Sequence, residues 1–578
     1  MSYLQFSDGP WLTLLVLSPM AGILLVALAG ALRLDDRLVK IGAAAWSLTS
    51  LGLAIFLWAG FDPSAAADGQ GTVQFVEKIT WIQAIRVDYF LGVDGISLPL
   101  VILTTAMAPV AMLASFGVTA RVKTHYALLF LLEAAMLGYF VALNFFFFFI
   151  FWEFSLVPAF FIIQGWGRDP ENGRRYAAFK FFVYTMAGSV GLLLLFQFFY
   201  VATSAAGVPT FDLITLGRLG MGLPVSGSQG ELAQLQQFVA GDPVNMQSVL
   251  FRYVETLGVT SYLGNFPLLY TSIAFWAIFI AFAIKLAVWP FHTWLPDAYA
   301  EAPTAGSILL SAVMSKMGAY GMLRIMLPIV PDAAQLFGPV IGALALVGIV
   351  AGAFGALSYT GGDVKRLIGY TSINHMGYVA LAIAAAATFT NAADASSRAI
   401  AINGAEMQMV AHGLSTGALF LLVGMLYART GTYNLRDWGG LRKVMPLFSG
   451  VMGVAMFANL GLPALAGFVG EFFIFRGTWA SLPFFTLLAT IGLVVSALAL
   501  LQMYARIFNG PLNSRWAGGS GGHGGAAIQD MRVMSREFLA VAPLLAALIV
   551  LGIYPAPIMN LVNATATALA TVFTRALT

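Results

Sequence analysis

The sequence predicts an all-α polytopic membrane protein with about fourteen transmembrane helices, and three observations carry that expectation. Only 10% of the 578 residues are charged, against about 25% in soluble domains. Apolar residues make up 60% and the mean hydropathy is +0.85, too apolar for a chain that folds in water. Stretches of the roughly 20 apolar residues needed to cross a hydrocarbon core recur from one end to the other. The net charge of +3 is too small to argue for a nucleic-acid partner. The chain has no cysteine, which excludes disulfides, thiolate metal sites and cysteine-ligated iron–sulfur clusters. Any redox chemistry must therefore run in another chain.

A hydropathy window places spans near 10–31, 39–60, 93–116, 125–143, 145–167, 176–203 and 266–294. Seven more lie near 304–328, 336–358, 366–388, 404–427, 449–475, 483–508 and 537–563. The first has no basic flank and no small-residue cleavage site, so it reads as a retained helix rather than a signal peptide. The spans group into helices 1–3 (residues 1–116), helices 4–8 (117–335), helices 9–13 (336–510), and a glycine-rich loop with helix 14 (511–578). Polar segments near 61–92 and 204–265 interrupt the pattern; the second is expected to carry a short surface helix. The glycine-rich run around His523 follows no strand and lacks the Lys-Ser/Thr of a phosphate loop, so it reads as a linker.

Basic residues sort by side. Loops after odd-numbered spans hold eighteen, among them Arg33, Arg37, Lys40, Arg168, Arg174, Arg175, Lys365 and Arg366. The opposite loops hold eight, including Arg218, Arg324 and Arg398. The positive-inside rule then puts both termini outside the cytoplasm.

Charges at bilayer depth cost at least about 2.5–3.5 kcal/mol and are functional by default. Glu153, Lys285, Lys316 and Glu471 all sit well inside spans. His375 and His412 add two titratable rings; each reads equally as a bond between helices or as a proton carrier. Glu133 is open to either a proton role or a packing role. Lys180, about one turn into its helix, is open to snorkelling. A buried lysine suits proton carriage because desolvation and a nearby carboxylate push its proton affinity in opposite directions. Pro290 follows Lys285, and Pro463 with three glycines precedes Glu471. Both helices should be broken, five spans apart, the mark of an inverted-repeat transporter. Spans 4–8 and 9–13 are the expected repeats.

Eight segments carry a resemblance to a known family. They are Leu91–Pro99 (LGVDGISLP), Phe151–Glu153 (FWE), Ala283–Lys285 (AIK) and His292–Gly306 (HTWLPDAYAEAPTAG). Lys316–Gly318 (KMG), Asp363–Gly377 (DVKRLIGYTSINHMG), His412–Leu414 (HGL) and Gly461–Glu471 (GLPALAGFVGE) complete the set. Together they resemble the antiporter-like membrane subunits of proton-pumping NADH:quinone oxidoreductase, respiratory complex I. The likeness is greatest to the M-type subunit, counterpart of mitochondrial NADH dehydrogenase subunit 4. The segments span roughly residues 90–475 in family order.

That resemblance implies fourteen helices with two inverted five-helix repeats and broken helices 7 and 12. It implies that Glu153 pairs with the central lysine Lys285 and that Lys316 is the connecting lysine. His375 and His412 would lie on the central hydrophilic axis and Glu471 at its end. Pro290, His292 and Pro463 would mark the helix breaks and their coupling. Glu471 stands where sister subunits carry lysine, which, with no long lateral helix at the C-terminus, speaks against the L-type. Asn374, Ala464 and Ala466 depart from the family pattern.

The implied function is proton translocation driven by quinone reduction elsewhere in the complex. The chain itself would hold no cofactor and no metal; FMN, iron–sulfur clusters and quinone would sit in other subunits. L-type and N-type subunits and lipids would be its neighbours in a bacterial inner membrane. Rival readings are a subunit of a multisubunit cation/proton antiporter, a ferredoxin- or hydrogenase-linked pump, and a structural scaffold.

Overall fold

A computed structural model describes residues 9–66, 73–168, 173–225, 227–260, 266–388, 395–517, 528–533 and 535–577. The glycine-rich run around His523 lies outside them. Among the described residues, twelve helices are long and apolar enough to cross a membrane. The expected fourteen are not all of that kind. Two predicted spans take another form, one too polar and one split in two.

The chain begins with α1 (Trp11–Ala31) and α2 (Asp36–Gly60). Pro19 removes an amide from α1, and the Ser18 hydroxyl donates instead to the Leu15 carbonyl left without a partner (2.9 Å). The polar segment that follows is a departure from an all-helical chain: β1 (Gln74–Ile82) and β2 (Val87–Val93) form an antiparallel hairpin. Glu77 of β1 accepts from the free Leu12 and Thr13 amides at the start of α1 (2.6 and 3.2 Å), a carboxylate on a helix N-terminus.

Next come α3 (Ser97–Ala114), α4 (Val122–Val141), α5 (Phe145–Phe154), α6 (Leu156–Trp166) and α7 (Gly173–Ala205). The predicted fifth span is α5 and α6 in series, joined at Ser155. Among its described residues, the second polar segment holds three short helices rather than one: α8 (Leu213–Gly220), α9 (Gln229–Phe238) and α10 (Met246–Thr256). A reciprocal cap between Ser228 and Glu231 starts α9. The Ser228 amide and the Arg86 guanidinium hold the Glu231 carboxyl below the usual carboxylate range.

The seventh span ends early. α11 (Pro267–Leu286) stops one residue past Lys285, Ala287 turns left-handed (φ 62°), and α12 (Trp294–Glu301) follows. The Trp294 indole donates to Ile284 O (2.8 Å), satisfying a carbonyl of the last turn. Helix α13 (Thr304–Ile329) contains two π-helical turns, Leu310–Met314 and Met322–Met326, on either side of Lys316. Then come α14 (Pro331–Ser358) and α15 (Val364–Ala387). α15 is long enough to span but carries Asn374 and His375, and nearly all of it is buried.

Helix α16 (Ala395–Thr430) begins nine residues before the predicted span. The predicted twelfth span is split into α17 (Pro446–Asn459) and α18 (Ala466–Thr478). Gly461 (φ 80°) and Ala464 (φ 72°) flank Pro463 in the gap, backbone that breaks a helix. After α19 (Pro483–Phe508), the predicted last span is cut at Tyr554: α20 (Arg536–Ile553) crosses, and α21 (Ala556–Leu577) packs against α16 and α3. Helices α13 and α16 are almost wholly enclosed, while α2, α19 and α20 turn apolar side chains outward. The protein's centre is thus built from helices that carry buried polar side chains, and the apolar faces of the outer helices are turned to lipid.

Candidate functional site

Lys285 sits at the α11 break, 1% exposed. Its ammonium donates to the Ser155 hydroxyl (2.9 Å) and lies 4.3 Å from the Trp152 ring centre. Ser155 in turn donates to Trp152 O (2.7 Å), and the Trp152 indole to Ser189 (2.9 Å). The lysine is therefore gripped by the α5–α6 joint. The expected Glu153–Lys285 contact takes a different form. Glu153 is half-buried, its Oε1 has no hydrogen-bond partner, and no ion pair within 4.0 Å joins it to Lys285 among the described residues. The helical turn decides this: Glu153 and Ser155 are two residues apart, so they point to different sides of the helix.

Lys316 is fully buried in α13. It donates to Ser311 O in the first π turn (2.5 Å) and to His412 Nδ1 of α16 (2.6 Å). His412 stacks obliquely against His375 of α15, ring centres 5.4 Å apart. His375 Nδ1 lies 3.3 Å from Glu471 Oε1 and 3.2 Å from the Gln408 amide, and Nε2 faces Asn459 Oδ1 at 3.3 Å. Asn459 is held by Ser415 and Thr416 (3.1 and 3.2 Å). Lys316, His412, His375 and Glu471 thus form one chain of neighbours through four helices. With Nδ1 accepting from Lys316, the neutral His412 ring carries its hydrogen on Nε2, an atom without a partner.

The other predicted residues lie apart from this chain. Glu133 of α4 accepts from Ser50 of α2 (2.5 Å) and leaves Oε2 unpartnered. Lys180 is paired with Asp297 (2.8 Å), which also binds Arg366 (2.6 Å). Pro290 and His292 occupy the α11–α12 break, where the His292 Nδ1 has no partner. Pro463 is exposed in the α17–α18 break. Beside the Lys180 group, Arg168 bridges Glu301 (2.9 Å) and Asp363, and Lys365 donates to Ala302 O (2.5 Å). No cluster of three metal-ligating side chains occurs among the described residues.

Three residues escaped the sequence reading. Arg324, taken there as a loop residue, lies inside α13 and is ion-paired with buried Asp94 (2.5 Å). Glu406, placed at a span's edge by the late predicted start of that span, is eleven residues into α16 and fully buried. Arg398, also counted as loop, is enclosed in the same helix. Charges mixed into an apolar run were the available signal.

Fold and interior together define a class: a polytopic membrane protein with a strand of lysine, histidine and glutamate through its core. The comparisons with known proteins are more particular. The family model described as "NADH:quinone oxidoreductase/Mrp antiporter, TM" matches residues 142–235 and 247–498. That of "NADH-ubiquinone oxidoreductase chain 4, amino terminus" matches 72–144. The chain is 33% identical to the NADH-quinone oxidoreductase subunit M of Mycobacterium tuberculosis, over 96% of this chain and 93% of that one. It is 35% identical to the F(420)H(2) dehydrogenase subunit M of Methanosarcina mazei, over 89% and 90%. A chain of Thermus thermophilus respiratory complex I superposes with a TM-score of 0.73 at 23% identity, over 98% and 100%, a likeness of fold. The chain belongs to the antiporter-like, M-type membrane subunits of the NADH:quinone oxidoreductase family.

Proposed function

We propose that this chain is a proton-translocating membrane-arm subunit of NADH:quinone oxidoreductase. The family membership and the subunit-M relatives support the assignment. The observation that carries the mechanism is the Lys316–His412–His375–Glu471 chain, in which each side chain can pass a proton to the next. FMN, iron–sulfur clusters and quinone belong to other subunits, L-type and N-type subunits adjoin this one, and both termini face away from the cytoplasm of a bacterial inner membrane. Residues 117–335 and 336–510, the predicted spans 4–8 and 9–13, act as the two repeats.

In this mechanism Lys285 is the loading group. Its hold on Ser155 and Trp152, and the distance to the Glu153 charge, set whether it keeps or releases its proton. Release passes a proton to Lys316. The Lys316 ammonium gives one to His412 Nδ1, while the Nε2 proton leaves toward His375, whose ring centre lies 5.4 Å away. From His375 the proton reaches Glu471 at the broken α17–α18 end. Breaks beside Lys285 and Glu471 leave the chain free to bend at the two ends of this path.

The likeness to the Methanosarcina subunit favours a second reading, the same module driven by a different electron donor. The deciding measurement is NADH-driven proton uptake in inverted membrane vesicles, comparing the parent with Lys285→Ala and checking assembly on a native gel. Loss of uptake with the large complex intact supports the assignment. Uptake untouched while cation/proton exchange disappears would assign the chain to an antiporter.

A further inference from the structure

Glu406 has no place in the chain described above, yet among the described residues it is the carboxyl with neither oxygen hydrogen-bonded in a fully buried site. It lies in α16. His412 lies six residues, or roughly 9 Å, further along the same helix. Gly413, on Glu406's own face of α16, packs against Leu103 of α3 and Ala312 of α13. That face is therefore turned toward α13, which bears Arg324, and toward α3, whose first turn follows Asp94. Glu406 lies within electrostatic reach of both of them and of Tyr320.

The Asp94–Arg324 pair has a second exposure. It lines a part-open cavity of about 80 Å³, bounded by α8, the end of α13 and Thr565 and Ala568 of α21. That is room for several waters. Ile214 and Arg218 line both this cavity and a polar cleft of about 180 Å³. The cleft carries Lys78, Asp88, Asp212 and Glu231 at the hairpin surface. The two cavities therefore lead from the Asp94–Arg324 pair to the hairpin end without passing Glu471.

We propose that Glu406 is a proton-carrying site, and that the Asp94–Arg324 pair and the two cavities connect it to the hairpin side as a branch separate from Glu471. The chemistry is that of two carboxyls facing one guanidinium. Arg324 neutralises Asp94, so Glu406, which lacks any donor, keeps a proton. When a water in the Asp94–Arg324 cavity accepts that proton, the carboxylate left behind turns to the Arg324 guanidinium, which swings between the two acids. The proton leaves through the cavity, and Glu406 is reloaded from the His412 side. The charged and titratable groups around it are Asp94, Tyr320 and Arg324, with His412 further along its own helix.

This branch rests on the proton-pumping reading, and the test separates the two. The intact complex is compared as parent, Glu406→Gln, Lys285→Ala and the cavity plug Ala568→Trp. The readouts are proton uptake per NADH oxidised and the infrared band of protonated carboxyls with its shift in D₂O. Glu406→Gln should remove one carboxyl band and lower uptake per NADH. Ala568→Trp should keep the band but slow its shift in D₂O. If Glu406→Gln fails to assemble, the plug variant decides alone: an unchanged shift rate refutes the branch. A missing Glu406 band in the parent, or undiminished uptake in Glu406→Gln while Lys285→Ala abolishes it, also overturns the branch but leaves the pump intact. Undiminished uptake in Lys285→Ala overturns the pump.

Discussion

Residue positions within a turn decide the chemistry here. Ser155, two residues past Glu153, holds Lys285, and the carboxyl stands away from the ammonium. Ser155→Ala should therefore weaken proton uptake per NADH while leaving the complex assembled, and Lys285→Ala should abolish uptake; both are read in inverted vesicles. Buried polar groups are costly when unpaired, so Asn459→Ala, which frees His375 and two hydroxyls from their partner, should slow uptake and lower thermal stability by about 1–3 kcal/mol. Lys285, Lys316, His375, His412 and Glu471 were legible as candidates because charges and rings stand out in apolar runs. Glu406 was not, because its helix starts nine residues earlier than the apolar stretch suggests.

Elements carry the second layer. Both helix breaks were legible, since proline and glycine remove the amide or the backbone preference a helix requires. Gly318 entered the sequence reading only as the end of a motif, yet a Cβ there would lie 2.6 Å from Leu286 N, at the crossing of α11 and α13. Gly318→Ala should push these helices apart at a cost of about 1–3 kcal/mol, seen as a lower unfolding temperature of the purified complex. The hairpin was read as polar loop. Its alternation is weak because one strand faces the bundle while the other is partly exposed. Glu77→Ala should uncap α1 and loosen the hairpin at a cost of about 0.5–2 kcal/mol, checked by faster hydrogen exchange in residues 74–93.

At the scale of the whole molecule, the paired networks at one end, Arg168–Glu301–Asp363 and Lys180–Asp297–Arg366, lie opposite the hairpin and α8–α10. The absence of cysteine makes their sidedness measurable. In inside-out vesicles an impermeant maleimide should label Ser514→Cys and spare Ser228→Cys, two exposed sites at opposite ends. The reverse pattern would invert the orientation drawn from the basic residues.

The sequence by itself determined which segments enter the membrane, where two of them break, and which charges are out of place there. Each follows from local transfer free energy or local backbone preference, and needs no knowledge of neighbours. Only the tertiary structure decided which charges meet. Lys316 and His412 are 96 residues apart, and His375 and Glu471 lie on separate helices. Their contact depends on helix rotation and depth, which packing of α13, α15, α16 and α18 sets and no single segment encodes.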